Sequence, residues 1–129
     1  MGVSESVAFK VPFLPPSMNS LYGIQARGSS VRLFLKSEAR EFKEKSKLFM
    51  PMRKWAEGAR FRLEVRAHGS WFFKNGSVRK LDIMNLDKIV CDAVAEKYLE
   101  GKDERVWVRL IEKVECAEEY LMIQFGELS

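Results

Sequence analysis

Between Phe61 and Tyr98 the spacing of apolar residues changes from two to three and four, and no other feature constrains the fold as much. In "RFRLEVRAHGSWFF", Phe61, Leu63, Val65 and Ala67 alternate with polar residues, as in a strand with one buried face. From about Asn85 to Tyr98, Leu86, Ile89, Val90, Ala93 and Val94 recur at helical spacing and predict a helix with one apolar stripe. "KNGS" at 74–77 lies between them and reads as a turn.

The rest of the chain supplies partners for these two elements. Residues 5–13 alternate as a first strand, and "LPPSMNSLYG" breaks it with two prolines, an Asn and a Gly. "SSVRLFLK" reads as a short strand. "SEAREFKEKSKLFM" reads as a helix capped by Ser37, with Ala39, Phe42, Leu48 and Phe49 as a partial apolar stripe and Pro51 beyond its end. "EGKDE" is a loop, and "RVWVRLIEKVE" and "EYLMIQFGEL" are two final strands around "CAEE". This order predicts an α+β fold: a single compact domain over residues 1–129, with two main helices packed on a mixed β-sheet.

A chain of 129 residues, 47% of them hydrophobic, is sufficient for one cored domain without disulfides. No apolar run reaches the roughly 18 residues of a membrane span, and the first residues do not read as a secretory signal. Cys91 and Cys116 each lie in an apolar segment with no metal-ligand spacing, so two reduced thiols and a cytoplasmic location are expected. His68, at a strand end, reads as structural. The net charge of +4 conceals an asymmetry: residues 1–80 hold sixteen Lys and Arg against six Asp and Glu, and residues 81–129 hold six against twelve. A basic portion suits a polyanion and an acidic one suits solvation or cations.

"RKLDIMNLDK", Arg79 to Lys88, crowds basic and acidic groups at the mouth of the second helix. Asp82 can cap that helix. Asn85, Lys88, Asp92 and Glu96 share a stripe beside its apolar face, where Lys88 and Asp92 form an i,i+4 pair. The alternative is a phosphate-directed metal site, which needs hard oxygen ligands and a nearby Lys. Asp82 and Asp103-Glu104 lie beyond opposite ends of a helix about 20 Å long, so the chain must double back after residue 98 for them to converge.

Four stretches in order, "VPFLPPSMNSLY", "RLFLKSEAREFKEK", "DIMNLDKIVCDAV" and "KDERVWVRLIEK", resemble the RusA-type Holliday-junction resolvases over approximately residues 7–115. That family has a "PPSxN" turn, a core "DxDNxxKxxxDAL", and an acidic loop leading into a strand that ends in Lys. The resemblance implies a Mg²⁺-dependent, structure-selective endodeoxyribonuclease that resolves four-way DNA junctions as a homodimer, with no small-molecule cofactor. It implies catalytic roles for Asp82, Asp103 and Lys88, with Asp82, Asp103 or Glu104 at the metal. Asn19 and Asn85 match the family's asparagines, and Asp92 its helix Asp. Met84 stands where the family usually has its second Asp, and a thioether is a poor Mg²⁺ ligand. The metal set then shrinks to Asp82 plus Asp103 with more water, or Glu104 or Asp87 substitutes, or activity is weakened or lost. Expected DNA contacts are Asn19, Arg27, Arg32, Lys74, Arg79, Lys80 and Asn85. Phe72 and Phe73 end a strand, either packing on the core or wedging at a DNA crossover. Either "YLMIQF" or the Trp55 region can supply the dimer interface.

Overall fold

The computed structural model describes residues 3–16, 29–78 and 82–128, with the side chains of 3, 4 and 29–36 left out of the description. The chain forms strand β1 (Val3–Val11), helix α1 (Ser29–Lys47), strand β2 (Phe61–Gly69), helix α2 (Ile83–Tyr98), a 3-10 turn (Asp103–Arg105), and strands β3 (Val106–Glu115) and β4 (Tyr120–Leu128). The strands make one mixed sheet in the order β1-β4-β2-β3. The β1/β4 and β4/β2 pairs are antiparallel, and β2/β3 is parallel through the α2 crossover. The domain is therefore α+β.

Cross-strand partners project from the same face of a sheet, so the register shows which residues build the core. One row joins Phe9, Ile123, Val65 and Ile111, and the next joins Val11, Leu121, Ala67 and Lys113. Phe61, Leu63, Val65, Leu121 and Phe125 are fully buried on this inner face. The opposite face of β2 carries Arg62, Glu64, Arg66 and His68, where Arg62 bonds Glu64 at 2.6 Å and Arg66 pairs with Glu112 of β3. His68 stacks on Tyr120 with ring centroids 4.2 Å apart, a packing role.

Helix α2 lies against the inner face. Leu86, Ile89, Val90, Ala93 and Val94 are buried, as their spacing predicts, and so is Cys91. Both cysteines are free, Cys91 buried and Cys116 half-buried. Trp55, Phe61, Tyr98 and Phe125 form an aromatic cluster in which Phe61 and Phe125 stack at 4.8 Å and Trp55 meets Phe125 edge-on at 5.4 Å. Phe125→Ala is expected to cost about 3–5 kcal/mol in urea denaturation. Leu48→Ala should stay within about 0.5 kcal/mol, because Leu48 is 82% exposed.

Four expectations are corrected. "SSVRLFLK" is helical and opens α1. Val31, Leu35, Ala39 and Phe42 continue one helical spacing with no Pro or Gly between, so propagation overrides the local β preference. Ser37 accordingly lies inside the helix and exposed, and Arg32 belongs to α1. Leu48 and Phe49 fall beyond the last helical residue and are exposed, leaving Phe42 and Met50 to face the core. Phe72 and Phe73 do not pack on the core: they are 59% and 55% exposed.

The two helices are joined by Glu96 of α2, which accepts from Lys43 and Lys47 of α1 at 2.7 Å each. Burial pushes the Glu96 carboxyl up, but bonds and charges from both lysines outweigh it and leave its pKa below the usual value. Burial likewise pushes Lys47 down, and Glu96 and Glu44 raise it past its usual value. A lowered carboxyl stabilises the fold above its unfolded pKa and loses that contribution as pH falls through the folded one. A raised Lys contributes below its unfolded pKa and loses that as pH rises through its folded one. Glu96→Gln should therefore cost about 1 kcal/mol at neutral pH, the upper end for solvent-screened pairs. The gap to wild type should close below about pH 4. A gap undiminished at pH 3 in urea melts contradicts this assignment.

Candidate functional site

Asp82 is the N-cap of α2. Its backbone is extended (φ −66°, ψ 130°), and Oδ1 accepts the Met84 N–H at 2.7 Å. That bond satisfies one of the helix's free N–H groups, and the helix dipole favours the negative charge there. Beyond it Met84 is 75% exposed, Asn85 is half-buried, Lys88 is exposed and Asp92 is half-buried.

At the other end α2 closes tightly. The N–H groups of Leu99 and Gly101 both donate to Ala95 O, at 2.7 and 2.9 Å. Glu100 and Gly101 take left-handed backbones, φ 54° and 80°. A β-carbon penalises that conformation at Glu100 and not at Gly101, so the reversal carries a local strain. The chain turns into the Asp103–Arg105 segment, which is anchored by Arg105: Nε donates to Ala59 O and Nη2 to Ala56 O, both at 3.1 Å. The doubling back required by the sequence is thus present.

The reversal brings Asp103 under the influence of the middle of α2. Asp103 charge acts on Asp92 and Cys91 of α2 and on Arg109 of β3. Burial raises the Asp92 carboxyl above its usual pKa; Lys43 and Lys88 pull it down, and Asp103 and Glu96 push it further up. Two carboxylates that repel one another beside two lysines can share a cation and sit next to a phosphate. Glu104 is exposed on the same turn.

Asp82 is not part of this grouping. Sixteen residues of α2 separate it from the reversal, about 24 Å of axial rise. The parallel β2–α2–β3 connection sets the cap at one end of the helix and Asp103 beyond the other. The two carboxylates expected to share a metal therefore stand at opposite ends of one helix. Among the described residues no group of three or more His, Cys, Asp or Glu side chains could hold a metal ion. Mg²⁺ keeps several waters and needs only one or two carboxylates plus phosphate, so a smaller donor set is no bar to it.

One residue with a clear electrostatic part, Arg109, was missed. Arg109 lies on the apolar face of β3, in register with buried Leu63, and Nη1 pairs with Asp87 Oδ2 at 3.4 Å. Burial pushes the Cys91 thiol up, more than Arg109 pulls it down, so it stays protonated at neutral pH. Asp87 Oδ1 is buried with no hydrogen-bond partner. The Asp87–Arg109 pair was invisible because it joins a helix to a strand, with nothing in the local pattern to mark it.

Of the expected DNA contacts, Lys74 is exposed at a hairpin tip and Asn85 lies in the first turn of α2. Asn19, Arg27, Arg79 and Lys80 lie outside the described residues, and the Arg32 side chain is not described. No helix among the described residues is long and apolar enough to cross a membrane. The sequence matches no protein-family model and no curated protein.

Proposed function

We propose that this chain is a RusA-type, Mg²⁺-dependent, structure-selective endodeoxyribonuclease acting on four-way DNA junctions as a cytoplasmic homodimer. The observation that supports this reading most is the reversal at Leu99–Lys102, after which the charge of Asp103 acts on Asp92 of α2. The four ordered motifs and the basic first two-thirds of the chain point the same way.

In this reading Asp103 and Asp92 hold the cation, with Glu104 alongside. When bound, Mg²⁺ supplies a more acidic water and positive charge at the scissile phosphate. Lys88 holds the phosphate and offsets charge developing on it. Asn85 and the cations at Lys74, Arg79 and Lys80 bind flanking phosphates, where neutralisation supplies most of the affinity. Two-fold symmetry in a junction favours a two-fold dimer with one site per subunit.

A second reading is a junction-binding protein that no longer cuts. The position of Asp82 favours it: its carboxylate is engaged in capping, Met84 stands where an acid belongs, and a helix length separates Asp82 from Asp103.

A labelled four-way junction incubated with Mg²⁺ and with EDTA tests both readings. The first predicts paired, symmetrical, metal-dependent nicks, and Asp103→Asn should lower cutting by about 100-fold or more while junction binding survives. Asp82→Asn should keep cutting within a few fold, and its melting temperature should hold because Asn caps as well as Asp. Asp82→Ala should cost about 1 kcal/mol of stability from the lost cap. Loss of cutting by Asp82→Asn with its fold intact would place Asp82 at the chemistry and overturn this site. Binding without nicks in either Mg²⁺ or Mn²⁺ leaves the second reading.

A further inference from the structure

The segment from Ser70 to Val78 folds as a small hairpin by its own bonds. Phe72 and Val78 form a β-bridge. Phe73 N–H donates to Ser77 O at 2.8 Å, and Gly76 N–H to Phe73 O at 2.9 Å. Asn75 Oδ1 accepts from the Ser77 N–H and hydroxyl, and Gly76 supplies the positive φ of 86° that the turn needs. Its base is anchored by Trp71, which is 3% exposed: its N–H donates to Glu115, and its indole N–H to Val114 O at 2.9 Å and Ala67 O at 3.2 Å.

On this anchored support Phe72, Phe73 and Val78 are 59%, 55% and 54% exposed. A buried Trp holding up two outward Phe is not a frayed strand end, since the apolar surface left in water costs folding energy. No acidic residue occurs between Glu64 and Asp82, while Arg66, Lys74, Arg79 and Lys80 do. Flat aromatic surface next in sequence to the Lys74 cation, on a stretch that itself carries no carboxylate, is complementary to a polyanion that also offers flat apolar faces. Nucleic acid with unstacked bases is such a partner.

We propose that the Phe72–Phe73 hairpin is a wedge that stacks on base pairs opened at the branch point of a DNA junction, Lys74 pairing with a flanking phosphate. This deepens the nuclease reading and rests on it. It adds the element that senses branching: a duplex end-stacked along its length has no open step for the rings to enter, and a junction has four. Anionic lipid would also attract aromatic and cationic groups. DNA is favoured because the hairpin leads directly into the mouth of α2, where Asn85 and Lys88 lie.

The test uses the intact protein in EDTA, so that cutting plays no part. 2-Aminopurine placed at the branch point of a four-way junction brightens when its base unstacks. Wild type should raise that fluorescence on the junction and not on the matching duplex. The Phe72→Ala/Phe73→Ala variant should lose the signal and at least about tenfold of the preference for junction over duplex. Its duplex affinity should stay within about twofold, and its melting temperature should not fall. Lys74→Ala should weaken both DNAs together and flatten the salt dependence. Junction binding by wild type with no brightening, or a double variant with intact preference, overturns the wedge and leaves the nuclease reading standing. Failure of wild type to bind any DNA, or binding to phosphatidylserine vesicles alone, overturns both.

Discussion

The apolar stripe of α2 against the inner face of the sheet is the contact on which the rest depends. Leu86 and Val94 have no exposed surface, and Val90 and Ala93 are 1% exposed. With that stripe against β2 and β3, the rotation of the helix is set, and each polar position on it has one direction available. Asp87 turns to Arg109 on β3, Glu96 turns to Lys43 and Lys47 on α1, and Asp92 is acted on by the charges of Lys43, Lys88 and Asp103. The charges that carry the functional reading are the flanks of a hydrophobic contact.

Charge placement around that stripe divides by environment. Arg62, Glu64, Arg66 and Glu112 pair on the open face of the sheet, where solvent screening leaves such contacts little net energy. At the edge of the core, Asp87, Arg109 and Asp103 act electrostatically on the buried Cys91 thiol. Burial there raises both Asp92 and Cys91. A cation beside Asp92 would relieve the push that Asp103 and Glu96 exert on its charge.

Local patterns made the elements legible. The alternation at Phe61–Ala67 and the helical spacing from Leu86 gave β2 and α2 within two residues of their ends, and the cap at Asp82 was readable from residue type. The start of α1 was not, because "VRLFL" favours either state and only the longer spacing through Phe42 decides it. Phe72 and Phe73 were read equivocally because an apolar pair at a strand end resembles core, and nothing nearby says that Trp71 already fills the buried position. The site divided in the same way. That the chain doubles back at Glu100-Gly101 followed from the Gly. Which carboxylate Asp103 approaches depends on the parallel β2–β3 pairing, a long-range fact with no local signature.

The central claim is that the reversal after α2 makes Asp103 and Asp92 one cation site. Titrating the protein with Mn²⁺ and following paramagnetic broadening of backbone amides by NMR measures this directly, without DNA. The account predicts that broadening starts at residues around Asp103 and Asp92, spares the Asp82 cap, and is displaced by excess Mg²⁺. Broadening centred on Asp82, or none at Asp103 and Asp92 at millimolar metal, would contradict it.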